Sequence, residues 1–411
     1  MFDLGRVRED FPATKEQVYL NAASISLAPM SAVEATRAVV GVLGEGPGRL
    51  GARAYRQRLS GAVEAARREA ALLVGASLEE IALIDDTTMG LNLALASIPF
   101  SPGDNLVFCD LEYPQIAITA EHARRRFGVE IRVVRHRGGR ADIGEFAALV
   151  DGRTRAVIVS SVQWVNGLRL DLAALSGLAE ARDFFLIVDA IQQLGAVPLD
   201  VSVLRVDFLA AGGHKWLNSP FGVGFLYASR NVWERVEPGA PHGLYALAEP
   251  AHGWEQALSD PELTPFLGLP LAADARRFDV SGLPKVVGSA GLAAALAYLK
   301  GIDARGAADH ILALGGWLIA ELEKRGFRVW TPKDARLRAG IITFDPCRGP
   351  EVVRRVVEEL ANERVYVSAR YCSGVGGLRV SVHYYNSRGD LEAFLAALDT
   401  ALARLQRGEK R

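Results

Sequence analysis

The chain has 411 residues, of which 50% are hydrophobic and 23% charged, so one large or two medium domains with a sizeable core are expected. Its 47 basic and 48 acidic side chains nearly cancel, which argues against a nucleic-acid or membrane-surface protein. Because no run reaches the roughly 20 apolar residues of a membrane span and the charged N-terminus has no signal-peptide pattern, we expect a cytoplasmic protein without membrane or nucleic-acid partners.

The first part of the chain predicts short strands and helices around a candidate anion site. VYLNAAS (18–24) is typical of a brief strand, and two alanine-rich segments with helical spacing follow it. The strand IALI (81–84) leads into DDTTMGLNLAL, where an Asp or Thr before an apolar helix is an N-cap signature. Backbone N–H groups at a helix start bind anions. Capping alone explains Thr87 and Thr88 equally well.

Strand and helix patterns then alternate. The apolar strand candidates are NLVFCD, IRVVRH, AVIVSSV, FFLIVD, DFLAA and GFLYA. This alternation predicts an α/β fold with a doubly wound, mostly parallel sheet. After a long irregular segment at 237–284, helices combined with a few more strands predict a smaller α+β unit. We therefore expect a large domain over residues 16–285 and a small domain formed by residues 1–15 and 286–411.

An acid and a lysine end two of these apolar runs. FFLIV ends at Asp189, and VDFLAA is followed by two glycines, His214 and Lys215. Open α/β sheets bind ligands at the carboxyl ends of their strands. Buried lysines lose their charge readily and form Schiff bases, and an acid against the pyridinium nitrogen is the usual partner of pyridoxal phosphate. The pair therefore predicts a pyridoxal-phosphate site.

Six blocks in family order carry a resemblance: VYLNAAS, DDTTMGLNLAL, DLEYP, VDAIQQLGAVPLDV, GGHKWLNSPFGVGFLY and LRVSVHYYN. From about residue 18 to residue 395, the chain resembles the class V aminotransferases, a branch of the fold-type I pyridoxal-phosphate enzymes. Within that family it looks closer to isopenicillin-N-epimerase-like members than to the iron–sulfur-cluster desulfurases. The resemblance implies pyridoxal 5′-phosphate as cofactor, bound by the large domain.

The resemblance assigns the reacting groups. Lys215 matches the lysine that forms the Schiff base with the cofactor and then shuttles the Cα proton of the substrate. Asp189 matches the acid that keeps the pyridine nitrogen protonated. Gln192 matches the side chain that bonds the ring hydroxyl; its neighbour Gln193 is the other glutamine that could point inward.

The resemblance assigns the cofactor phosphate to Thr87, Thr88 and His214. Desulfurases usually carry a serine where this chain has Gly212, so one phosphate hydroxyl is missing and backbone N–H groups or the turn before the helix must compensate. In this family the neighbouring subunit also touches the phosphate. RRFDVSGLP resembles that segment, which makes Ser281 and Gly282 candidates and implies a homodimer with a shared active site.

The resemblance also indicates groups around the cofactor ring and the substrate. Tyr113 occupies the position of a ring stacked on the cofactor. Trp164 stands where desulfurases have asparagine, so that polar contact is in doubt, and Asn166 is a candidate to supply it. Arg379 matches the arginine that clamps the substrate α-carboxylate, because a planar guanidinium gives two parallel bonds to a carboxylate. Weaker substrate-binding candidates are Arg370 and Asn21, which is followed by Ala22.

These residues fix the cofactor but not the bond that breaks. We expect an aminotransferase-like enzyme acting on a small α-amino acid. The alternatives are a cysteine desulfurase or C–S lyase, an isopenicillin-N-epimerase-like epimerase, and, less favoured, a non-catalytic binding subunit.

A desulfurase needs a thiolate on a mobile loop. Cys372 is the candidate persulfide carrier, although it lies nearer to Arg379 than the family's cysteine lies to its arginine. The three cysteines, Cys109, Cys347 and Cys372, are otherwise expected to be small buried hydrophobes, and no metal site is expected.

Overall fold

The structure, a computed structural model, describes residues 1–239, 243–346 and 349–408. Cys347, one of the cysteines expected to be buried, lies outside the described residues. The helices are α1 (Leu4–Asp10), α2 (Met30–Glu45), α3 (Pro47–Leu50), α4 (Ala52–Val74), α5 (Thr87–Ser97), α6 (Pro114–Phe127), α7 (Ile143–Leu149), α8 (Leu172–Arg182), α9 (Gly253–Ala257), α10 (Val286–Gly301), α11 (Ala304–Lys324), α12 (Gly349–Asn362) and α13 (Arg388–Gly408). The strands are β1 (Val18–Tyr19), β2 (Ile81–Ile84), β3 (Asn105–Cys109), β4 (Glu130–Val134), β5 (Thr154–Ser160), β6 (Phe185–Asp189), β7 (Phe208–Gly212), β8 (Gly224–Ala228), β9 (Arg328–Val329), β10 (Ile341–Asp345), β11 (Val365–Tyr366), β12 (Ser368–Cys372) and β13 (Val375–Ser381).

The main sheet has the strand order β2-β8-β7-β6-β5-β3-β4. All neighbouring strands are parallel except β8, which runs antiparallel to both β2 and β7. The carboxyl ends of the other six strands therefore lie along one edge. The predicted α/β fold with a mostly parallel sheet is confirmed. The antiparallel direction of β8 was not predicted.

Helices cover both faces of this sheet, which explains why its strands are apolar throughout. Successive residues of β3 show the alternation: Leu106 packs with α5 and α6 on one face, and Val107 packs with α4 and α8 on the other. Each face thus has its own apolar core. The carboxyl edge of the sheet lies between these two cores.

The second sheet is antiparallel, with the order β12-β13-β10-β9, and helices α11, α12 and α13 share its core. Strand β1 pairs with β11, where Val18 faces Val365, and Asn21 bridges to Ser381. The segment after residue 16 is therefore attached to the small sheet. Helix α10 instead contributes Leu292 to the core of the main sheet. The predicted division at residue 285 stays a prediction.

Among the described residues, no single helix is long and apolar enough to cross a membrane. Helices α10 and α11 reach that length and apolarity only as a pair, and they are bent by 80° relative to each other. The irregular segment predicted at 237–284 contains only α9 and short 3₁₀ turns among its described residues.

Candidate active site

The carboxyl edge of the main sheet and the small sheet enclose a cavity of about 380 Å³, called here the sheet-edge cavity. Its lining residues are Ala23, Ser24, Ile25, Asp86, Thr87, Thr88, Leu91, Tyr113, Gln115, Ser160, Trp164, Asp189, Ile191, Gln192, His214, Lys215, Arg370 and Arg379. These residues come from strand ends and helix starts of both sheets. Most of the residues predicted from the sequence are therefore brought together.

Asp189 and Lys215 both line the cavity and interact electrostatically. Asp189 is buried, its Oδ1 accepts a hydrogen bond from the backbone N–H of Ile191 at 3.0 Å, and burial raises its pKa to about 6. Burial lowers the pKa of Lys215 to about 8, and the charge of Asp189 opposes part of that shift. A lysine with such a pKa offers an uncharged amine near neutral pH, as Schiff-base chemistry requires.

The amide of Gln192 is held from two sides. Its Oε1 accepts a hydrogen bond from Trp216 Nε1 at 2.7 Å, and its Nε2 donates to the carbonyl of Ala23 at 3.1 Å. Gln193 donates away from the cavity, to the carbonyl of Pro198 at 2.9 Å. Gln192, and not Gln193, is thus the glutamine that lines the cavity.

The start of helix α5 faces the cavity and is suited to bind an anion. Asp86 caps the helix, and the first N–H groups, including those of Thr87 and Thr88, have no partner within a helix by its geometry. Thr87 Oγ1 accepts a hydrogen bond from the backbone N–H of Gly212 at 2.9 Å. A Cβ at position 212 would lie 3.2 Å from the ring of His214, so a serine there would crowd that ring. The hydroxyl on this side of the cavity comes from Thr87.

Two aromatic side chains border the cavity beside Lys215. The ring of Tyr113 is 46% exposed and lies 5.7 Å from Lys215 Nζ. Trp164 meets this ring edge to face, with 5.3 Å between the ring centroids. The indole Nε1 of Trp164 is buried without a hydrogen-bond partner among the described residues. Tyr113 is therefore available for stacking, and Trp164 brings a free donor.

Two arginines converge on one serine. Arg379 is buried and donates from Nη1 to the carbonyl of Trp164 at 2.9 Å and from Nη2 to Ser24 Oγ at 2.7 Å. Arg370 donates to the same Ser24 hydroxyl at 3.3 Å. Burial and the like charge of Arg370 lower the pKa of Arg379 to about 9.

Neither guanidinium forms an ion pair with an acid of the described residues, because their acceptors are carbonyls and hydroxyls. A buried charge without a counter-ion is costly, so the pair indicates an anion site. Sequence reasoning missed Ser24. The only signal for it is its place in the small, polar stretch after the first strand.

Two asparagine candidates do not line the cavity, and both interpretations are corrected. The amide of Asn166 donates to the carbonyl of Gly139 at 2.7 Å and accepts from the N–H of Leu168 at 3.1 Å, so both ends serve the local backbone. Asn21 precedes the lining residues, and its Oδ1 is buried without a hydrogen-bond partner among the described residues.

The segment proposed to reach a neighbouring subunit also lies outside the sheet-edge cavity of its own chain. Ser281 accepts a hydrogen bond from Lys285, and Gly282 is exposed. Lys285 in turn lies 3.5 Å from Asp85, next to the cap of helix α5. The assignment of Ser281 and Gly282 to a partner's cofactor stays a prediction.

Cys372 sits at the tip of a tight hairpin. It pairs with Val375 across a two-residue turn in which Ser373 and Gly374 have φ of 47° and 80°, the pattern of a type I′ turn. Its thiol donates to the carbonyl of Asp110 at 3.4 Å and does not line the cavity. Burial raises the pKa of the Cys372 thiol.

A buried carboxyl that the sequence did not single out supports the cavity wall. Glu112 accepts hydrogen bonds from the N–H of Ser160 at 3.0 Å and from Gln163 Nε2 at 2.7 Å. Burial raises its pKa to about 7. Because Ser160 lines the cavity, Glu112 fixes the end of strand β5 there.

Comparisons with known proteins agree with this geometry. The family model described as Aminotransferase class-V matches residues 18–394. A probable cysteine desulfurase of Methanothermobacter thermautotrophicus is 28% identical over 400 residues, covering 94% of this chain and 95% of that protein. The cysteine desulfurase CsdA from Escherichia coli has a TM-score of 0.84 at 26% identity, covering 98% of this chain and 99% of its own. The cystine C–S lyase C-DES, solved with its reaction product cysteine persulfide, has a TM-score of 0.83 at 26% identity, covering 94% of this chain and 98% of its own.

The residues of the cavity fit pyridoxal phosphate. C-DES has also been solved with glycine covalently linked to this cofactor. In the present chain, Lys215 supplies a low-pKa amine, Asp189 a buried acid, and the start of α5 an anion site. The chain belongs to the class-V aminotransferase family, and it is a pyridoxal-phosphate-dependent enzyme.

Proposed function

We propose that this enzyme is a C–S lyase, which removes a sulfur group from a small amino acid such as cysteine, cystine or an S-substituted cysteine. Similar proteins that cover nearly the whole chain are named cysteine desulfurases or a cystine C–S lyase. This support favours the C–S-cleaving alternative over amino transfer, the first choice from the sequence.

The environment of Cys372 carries the choice between lyase and desulfurase. A desulfurase uses a nucleophilic thiolate that reaches the substrate sulfur. The Cys372 thiol donates to the carbonyl of Asp110, has a raised pKa and stands at a closed hairpin turn outside the cavity. Cys109, the other described cysteine, is fully buried, and its pKa is also raised by burial. These environments favour a reaction that needs no protein thiolate.

The two reactions differ in where the electrons of the C–S bond go. If a thiolate takes the sulfur atom, the electron pair stays on the substrate carbon, which gains a proton and ends as alanine. In the proposed elimination, the sulfur leaves with the electron pair as a thiolate, and the Cα proton is removed. Water then completes the products: pyruvate, ammonium and a thiol, or a persulfide when the substrate is a disulfide. No external oxidant or reductant is needed.

Arg379, Arg370 and Ser24 are proposed to bind the substrate carboxylate, because two guanidinium groups and a hydroxyl converge there without an internal acid. Lys215 is proposed to remove the Cα proton, since its depressed pKa lets it act as a base near neutral pH. Pyridoxal phosphate, when bound, supplies the electron sink for that step. Thr87, Thr88 and His214 would hold its phosphate, Gln192 its ring oxygen and Asp189 its ring nitrogen, while Tyr113 would cover its ring.

We further propose that the enzyme is a homodimer in which Ser281 and Gly282 of each subunit approach the cofactor phosphate of the other. The exposure of Gly282 and the position of both residues outside the cavity of their own chain support this. Light scattering of the holoenzyme is expected to give the mass of two chains. A monomer at working concentrations would contradict the proposal.

A product analysis tests the reaction. Purified holoenzyme is given cysteine, cystine or an S-alkylcysteine without a keto acid, and pyruvate, ammonium, alanine and sulfur products are measured together. Pyruvate and ammonium in equal amounts are expected. Alanine as the main carbon product would support a desulfurase, and turnover that depends on an added keto acid would support an aminotransferase.

A further inference from the structure

Two neighbours fix the side-chain amide of Gln192 in one orientation. Trp216 Nε1 donates to one end of the amide, and the carbonyl of Ala23 accepts from the other. An indole N–H can only donate and a carbonyl can only accept. Both contacts therefore place the amide oxygen of Gln192 at the end that faces Trp216 and the amide nitrogen at the end that faces Ala23. Rotating the amide by 180° would place its NH₂ group against the indole N–H of Trp216 and its oxygen against the carbonyl oxygen of Ala23. All three residues are buried, so leaving these groups unpaired would be costly.

Trp216 is itself held rigidly. Its ring stacks on His383 at 5.2 Å between centroids and 15° between planes, and its carbonyl accepts a hydrogen bond from His383 Nε2 at 3.2 Å. His383 Nδ1 accepts from the N–H of Tyr384 at 2.9 Å, which places the ring proton on Nε2. The far edge of the indole touches Gly340, where a Cβ would come within 2.5 Å of it. The indole cannot swing away from Gln192 without disturbing these contacts.

With its oxygen engaged by Trp216, Gln192 has one remaining amide hydrogen, because Ala23 uses the other. Gln192 lines the cavity, so this hydrogen is the group it offers to a ligand there. A donor stabilises negative charge on an oxygen that accepts from it. We infer that Trp216 is a positioning residue that locks Gln192 as a donor toward the ring oxygen of pyridoxal phosphate. This inference rests on the cofactor and is independent of which substrate bond is cleaved.

The pH titration of the visible absorption of the holoenzyme tests the inference without reference to turnover. Loss of a donor makes the ring oxygen more basic, so Trp216→Phe is expected to raise the titration midpoint by about half a unit to one unit. Gln192→Met, which keeps the side-chain length but removes the amide, is expected to raise it at least as much. Because Trp216 acts through Gln192, the double variant is expected to match Gln192→Met alone.

Two results would overturn the inference. One is an unchanged midpoint in Trp216→Phe; the other is the same shift from Trp216→Phe whether or not Gln192 is present, which would mean that the indole acts only by packing. If Trp216→Phe does not fold, the benzothienyl analogue of tryptophan at position 216, in which sulfur replaces the N–H, makes the same comparison with the ring volume kept. Both single variants are checked by circular dichroism before titration.

Discussion

Arg379 Nη2 donates to Ser24 Oγ at 2.7 Å, and this bond ties strand β13 of the small sheet to the N-terminal segment at the cavity wall. Arg370 donates to the same oxygen at 3.3 Å. Because that oxygen accepts both guanidinium bonds, the hydroxyl proton of Ser24 is available to a ligand. The proposed carboxylate site is thus assembled from two distant parts of the chain.

We expect Arg379→Lys to lower kcat/KM by at least about 30-fold, because a lysine cannot make the planar pair of bonds and the buried partners lose theirs. Ser24→Ala removes one neutral donor and is expected to cost about three- to tenfold. Pyruvate release measured over a range of substrate concentrations checks both values. Arg388→Lys, on the exposed face of α13, is the matched control and should leave kcat/KM unchanged. Values within twofold of the wild type for both site variants would refute the carboxylate site.

The pKa of Lys215 predicts the pH dependence of cofactor capture by the apoenzyme. Only the neutral amine reacts, so the capture rate should rise about tenfold per pH unit and level off above about pH 8, where burial has placed the Lys215 pKa. Stopped-flow absorbance after mixing apoenzyme with pyridoxal phosphate gives this profile. A rise that continues toward pH 10 would show an ordinary lysine.

Asp189→Asn provides the matching control for that profile. The charge of Asp189 raises the pKa of Lys215, so removing it should move the plateau to lower pH. The effect applies only above about pH 6, where Asp189 is ionised. A plateau that moves to higher pH would contradict the assigned interaction.

The residue pair at the strand ends is predictable because apolar runs mark buried strands, and parallel strands place their carboxyl ends on one edge. The direction of β8 is not predictable in this way, since an apolar run is the same in either direction. Only the pairing of β8 with β2 and β7 sets it.

The directions in which side chains point explain where the structure differs from the site expected from the sequence. Asn166 and Trp164 lie two residues apart in one loop, yet the amide of Asn166 satisfies the backbone of Gly139 and Leu168 while Trp164 lines the cavity. Ser24 enters the site only because Arg370 and Arg379, on strands β12 and β13, approach it from a distant part of the chain. Contacts between distant parts of the chain depend on packing that no local pattern contains.

Thr87→Val tests the hydroxyl that bonds Gly212. The variant leaves the buried N–H of Gly212 without its acceptor, so we expect the free energy of unfolding of the apoenzyme to fall by about 1–3 kcal/mol. Cofactor affinity should fall as well. Thr87→Ser keeps the hydroxyl and should preserve most of both quantities. Chemical denaturation with no change in Thr87→Val would disprove a structural role for this bond.

Gly340→Ala tests the packing around Trp216. The added Cβ would come within 2.5 Å of the indole, so we expect a loss of about 1–3 kcal/mol of stability from overpacking. Gly301→Ala, at the end of α10, meets nothing within 4 Å and should be neutral or slightly stabilising. Thermal unfolding of the two variants measures the difference. Equal midpoints would mean that the indole has room to move.

If the C–S bond breaks without a protein thiolate, the reaction should survive removal of Cys372 and Cys347. Wild-type holoenzyme, Cys372→Ala and the double variant Cys347→Ala/Cys372→Ala are incubated with cysteine under anaerobic conditions. Pyruvate and alanine are quantified, and the protein is analysed by mass spectrometry. We predict pyruvate formation within about twofold of the wild type in both variants, no alanine, and no persulfide on Cys347 or Cys372. A persulfide on Cys372 of the wild-type enzyme, with alanine as product and loss of activity in Cys372→Ala, would contradict the account.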